Sequence, residues 1–150
     1  MILVVLFIFF LVNGQQAPTK KLKPFVAVSS FPLYEIATRL SAGEIEVRLL
    51  MPFGVDTHTF MPSVKTMQTM MEADLVFYNG LGLEPWMSEV KEHGVNMSQF
   101  VQILHPAHEE HEEEHEHHHH HEDGDPHYWL DSDNMIQMTQ VISSKLIAMY

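Results

Sequence analysis

Apolar positions in this chain fall into short bursts separated by breaks rich in Pro, Gly and Asp. Phe25-Val26-Ala27-Val28 is too short for a helix and suits a buried strand. Behind it, Pro32 opens a segment with Leu33, Ile36, Ala37 and Leu40 at helical spacing, stopped at Gly43. Ile45, Val47 and Leu49 alternate within Ile45 to Leu50, which predicts a second strand. After a Pro/Gly-rich loop (MPFGVDTHTFMP, 51–62), Ser63 caps a helix carrying Val64, Met67, Met70 and Met71 on one face. Leu75 to Tyr78 predicts a third strand, ended by Asn79-Gly80. Pro85 begins a helical segment with Trp86, Met87 and Val90, and Phe100 to Leu104 predicts a fourth strand.

Met135, Met138, Ile142, Leu146 and Met149 then recur at helical spacing, with Ile136, Val141 and Ile147 widening the stripe. Such a stripe must bury itself against something, and it runs to Tyr150 without a closing Gly, Pro or polar tail. We therefore expect residues 132–150 to begin a long linker helix whose partner surface lies in a longer protein. The alternation of strand and helix predicts an α/β fold with a mainly parallel four-stranded sheet flanked by helices. In open parallel sheets ligands sit beyond the carboxyl ends of the strands. The loop holding His58 leaves the second strand there, and the segment from His105 to His127 leaves the fourth.

Ile2 to Val12 is an unbroken apolar run of eleven residues. A bilayer-crossing helix needs about twenty, so the run fits the core of a signal peptide better than a membrane span. Residues 1–17 are expected to be that signal peptide and 18–131 the folded lobe. The chain has no cysteine, which excludes disulfides, thiolate metal sites and cysteine nucleophiles, and argues against a lipid-anchored lipoprotein. Eight Lys+Arg against twenty Asp+Glu argue against nucleic-acid binding through phosphates. Most of the charge imbalance is local. Residues 108–123 (HEEHEEEHEHHHHHED) hold eight histidines and eight acids, and the other 134 residues carry a net charge of only −4.

The tract has no apolar residue, so it cannot pack a core and is expected to be a disordered loop. A solvated acidic segment is the plain reading of a charge run. Imidazoles change it, because neutral histidine is a good ligand for zinc, copper and nickel. His108, His111, His115, His117, His118, His119, His120 and His121 are thus candidate weak, exchangeable metal sites. His58, in Gly54-Val55-Asp56-Thr57-His58, reads as a surface histidine or as a ligand whose ring Asp56 orients. His127, in Asp125-Pro126-His127-Tyr128-Trp129-Leu130, reads as a histidine stacked at a core edge or as a ligand set beside an aromatic wall.

Together, MPFGVDTHTFMPS (51–63), the acidic histidine-rich stretch and DPHYWLDSDN (125–134) resemble the periplasmic zinc-binding solute-binding proteins of metal ABC importers. The resemblance spans residues 24–150, with Thr57 where that family usually has proline. It implies that His58 and His127 are two Zn2+ ligands from the N-terminal lobe of a two-lobed protein. It also implies that the remaining ligands come from a C-terminal lobe. The expected protein is a monomeric, non-catalytic periplasmic component that delivers Zn2+ to a permease in the inner membrane. A periplasmic zinc buffer acting through the tract is the alternative. A zinc hydrolase would need three protein ligands and a general base. The His111-Glu112-Glu113-Glu114-His115 string has that pattern only inside low-complexity sequence.

Overall fold

The computed structural model describes residues 24–89, 94–105 and 124–149. The proposed signal peptide, the histidine tract and Val90 lie outside the described residues. Strands β1 (Phe25–Val28), β2 (Glu46–Leu49), β3 (Leu75–Tyr78) and β4 (Gly94–Asn96) form one sheet in the order β2-β1-β3-β4. Every pairing is parallel: Val28 lies opposite Leu49 on one side and Phe77 on the other, and Phe77 opposite Val95. Because β1 is central and covered on both faces, all four of its residues are buried.

Side-chain alternation along the strands divides the core in two. Val26, Val28, Phe77 and Val95 face a layer built by helices α1 (Phe31–Ser41) and α3 (Ser132–Ile147), through Leu33, Ile36, Met138, Ile142 and Leu146. Phe25, Ala27 and Val76 face the opposite layer, where Met70 of helix α2 (Val64–Glu72) joins Leu50, Trp86 and Met87. Each helix start has a physical cause. Pro32 stands in the first turn of α1, where a missing N–H costs nothing. Ser63 accepts the Thr66 N–H at 3.1 Å at the start of α2, and Asp131 accepts those of Asp133 and Asn134 at 2.8 and 3.0 Å at the start of α3.

Three expectations need correction. The fourth strand is Gly94–Asn96, not Phe100 to Leu104. The Phe100–Leu104 stretch has Phe100 and Leu104 in solvent, and its polar backbone is satisfied by a side chain instead of a ladder. Asn134 Oδ1 accepts the Gln102 N–H at 2.8 Å, and Asn134 Nδ2 donates to the Gln102 carbonyl at 2.9 Å. The segment opened by Pro85 is a 3₁₀ turn, Pro85–Glu89, that buries Trp86 and Met87. Finally, the apolar faces of α2 and α3 are narrower than their periodicity suggests, since Val64, Met71, Ile136 and Ile147 are exposed.

Asn134, 4% exposed, also donates to the Tyr128 carbonyl at 3.1 Å, so one carboxamide ties α3 to two neighbouring segments. Asn134→Ala is expected to destabilise the fold by about 1–3 kcal/mol, because it leaves the part-buried Gln102 N–H and carbonyl without this partner. Urea unfolding should show a lower midpoint at an unchanged slope.

Candidate metal centre

The loop after β2 is shaped by two consecutive turns. Val55 N–H donates to the Pro52 carbonyl at 3.4 Å, with Gly54 at φ 77° in the left-handed conformation such a turn demands. Asp56 Oδ1 then accepts the His58 backbone N–H at 2.9 Å. This Asx turn projects the exposed His58 ring from the carboxyl rim of the sheet. The same device recurs before α3. Asp125 Oδ1 accepts the His127 N–H at 2.9 Å, and His127 begins the 3₁₀ turn Tyr128–Leu130, which is closed by Leu130 N–H on the His127 carbonyl at 3.0 Å.

These two loops meet. The His58 and His127 rings, sixty-nine positions apart in the chain, stand with centroids 5.5 Å apart and planes inclined by 59°. His127 also packs edge-on against Trp129 at 5.3 Å, so the imidazole touches both an aromatic ring and its fellow histidine. Asp125 Oδ1 also bonds His127 Nδ1 at 2.8 Å, which leaves Nε2 as the nitrogen available to an ion. The His127 backbone N–H, and then its ring, hold the Asp125 carboxyl below its ordinary range. It therefore stays ionised, and stays on the imidazole, until the pH falls through that lowered value.

Asp56 was expected to orient the His58 ring. Instead its carboxylate engages the His58 backbone, because in an Asx turn the N–H two residues on is the nearest donor. The carboxylate on a histidine ring is instead Asp125, at His127. The Asp-x-His spacing shared by Asp56-Thr57-His58 and Asp125-Pro126-His127 was the available signal. The eight tract histidines lie outside the described residues. Of the described residues on either side of the tract, Asp125 N–H donates to the Leu104 carbonyl at 3.0 Å. Among the described residues no group of three or more His, Cys, Asp or Glu side chains converges as a metal cage, so this rim offers two imidazoles.

Glu84, 5% exposed, is the one buried ionisable acid among the described residues. Burial pushes its carboxyl up, and hydrogen bonds donated by Ser29, Asn79 and Gly80 pull it back. If the histidine pair holds a divalent ion, Asp125→Ala is expected to weaken retention by about 10–100-fold, since the imidazole loses its orienting partner. Calorimetric titration with zinc measures that loss.

Among relatives, the chain is 31% identical over 127 residues to the manganese-binding lipoprotein MntA of Halalkalibacterium halodurans, covering 80% of this chain and 38% of MntA. It is 29% identical over 142 residues to the zinc-binding protein AdcA of Streptococcus pyogenes, covering 83% and 28%. The fold matches the crystal structure of Zn(II)-bound AdcA from Streptococcus pneumoniae with a TM-score of 0.67 at 22% identity, over 85% of this chain and 26% of that one. The chain spans 32% and 41% of the length of two further relatives, from Thermotoga maritima and Treponema pallidum. The sequence profile of the periplasmic component A of the zinc-uptake complex matches residues 26–150, and the chain belongs to that family of metal-binding ABC-transporter proteins.

Proposed function

We propose that this chain provides the metal-capturing N-terminal lobe of an extracytoplasmic zinc-binding protein. That protein takes up Zn2+ and hands it to the permease of an ABC importer in the inner membrane. The observation carrying this reading is the meeting of His58 and His127 at the sheet rim. Two imidazoles sharing one tetrahedral zinc, with Zn–N near 2.0–2.1 Å, have ring centroids about 5 Å apart. The separation of 5.5 Å fits that requirement with little adjustment. Two nitrogens leave two positions of a tetrahedral ion open, which a second lobe would fill. Dividing the ligands between lobes couples capture of the ion to lobe arrangement, a state that a permease can read.

Relatives carry names that specify manganese as well as zinc. Zinc is favoured here by donor chemistry, since imidazole suits zinc whereas oxygen donors suit manganese. The histidine tract adds to that preference, with eight imidazoles in the sequence shortly before His127. The leading run of residues 1–17 serves export to the periplasm in this reading.

In the full chain, His58→Ala and His127→Ala are each expected to lower zinc affinity by about 100-fold or more in competition calorimetry. Undiminished tight binding in both variants would exclude the proposal. Removing residues 108–123 separates the importer reading from the buffer alternative. The expected result is loss of the weak, exchangeable equivalents with the tight one retained, whereas a buffer would lose most of its capacity.

A further inference from the structure

Glu84 does no work in the metal centre as described, yet it is buried at the switch point of the sheet, between the carboxyl ends of β1 and β3. There the chain makes an uncommon turn. Gly80, Leu81 and Gly82 take φ values of 86°, 52° and 72°, all left-handed. For Leu81, which carries a Cβ, that conformation is unfavourable. Gly80 admits no side chain, because a Cβ would collide with the Asn96 carboxamide.

A carboxylate holds this turn from within. Glu84 Oε1 accepts the Asn79 N–H at 3.0 Å, Asn79 Nδ2 at 2.8 Å and the Ser29 hydroxyl, and Oε2 accepts the Gly80 N–H at 3.0 Å. Successive backbone N–H groups in such a turn form a concavity for an anion, and here the anion is internal. Asn79 presents its carbonyl to the neighbouring segments, where it accepts the Tyr128 hydroxyl at 2.8 Å and the Ser98 N–H at 3.0 Å. Tyr128 is the residue after His127 and is 5% exposed within the core.

We infer that Glu84 is a positioning residue for the histidine pair. It fixes Asn79, whose carbonyl sets the depth of the Tyr128 phenol and thereby holds the His127 imidazole against His58. The inference rests on reading those histidines as metal ligands. Packing alone seats the Tyr128 ring in the core. Its hydroxyl adds a directional bond that a purely apolar ring would lack.

The test uses the full chain with zinc alone as the probe, titrated against a chromophoric chelator. Tyr128→Phe keeps the packing and deletes the bond to Asn79. Glu84→Gln keeps the size but turns an N–H2 group toward donors. Each is expected to weaken the tight site about tenfold while urea unfolding still reports a folded protein. In a His127→Ala background, Tyr128→Phe should cause no further loss, because no imidazole remains to be positioned. Parent-like affinity in Tyr128→Phe overturns the inference, as does an equal loss with and without His127. If His127→Ala itself binds zinc like the parent, the ligand reading falls instead. Should Glu84→Gln fail to fold, Tyr128→Phe decides alone.

Discussion

An aspartate that bonds the backbone of the histidine two residues ahead of it governs the geometry of this lobe. Asp56 does so for His58 and Asp125 for His127, each at 2.9 Å. A side chain that closes a turn on its own backbone needs no help from distant packing, so each histidine is aimed locally. The parallel sheet then supplies the long-range part. With every strand running the same way, the loops that follow them emerge together, and the two turns are brought face to face.

Around this rim the structure uses polar groups where a soluble domain ordinarily uses apolar ones. Asn79, Glu84 and Asn134 are all buried; Glu84 and Asn134 serve backbone groups that lack a strand or helix partner, and the Asn79 amide donates to Glu84. Buried amides and carboxylates are tolerated when their hydrogen bonds are satisfied and are costly otherwise. A network of this kind resists small displacements more stiffly than apolar packing, because its bonds have preferred directions. Stiffness suits a rim whose two imidazoles must meet at a fixed separation.

Much of this was legible in the residues. Phe25–Val28, Leu75–Tyr78, the Ser63 cap and the stripe of Met138, Ile142 and Leu146 all occur where apolar spacing puts them. The fourth strand was not, because Gly94-Val95-Asn96 carries a single apolar residue. The more hydrophobic Phe100–Leu104 is diverted by the Asn134 side chain, a tertiary contact that no local pattern encodes. At the rim, both histidines could be singled out, but the carboxylate on the His127 ring could not. Asp56 and Asp125 occupy equivalent places in sequence, and only the ring orientation adopted in the fold separates backbone support from support of the imidazole.

The neck formed by Asp125 N–H and the Leu104 carbonyl has an evolutionary implication. Two ends joined in this way are held at little extra cost by a longer connection, since each doubling of loop length adds only about 0.6 kcal/mol of closure entropy. The number of residues between Leu104 and Asp125 is therefore free to vary across lineages without renegotiating a single strand pairing of the sheet.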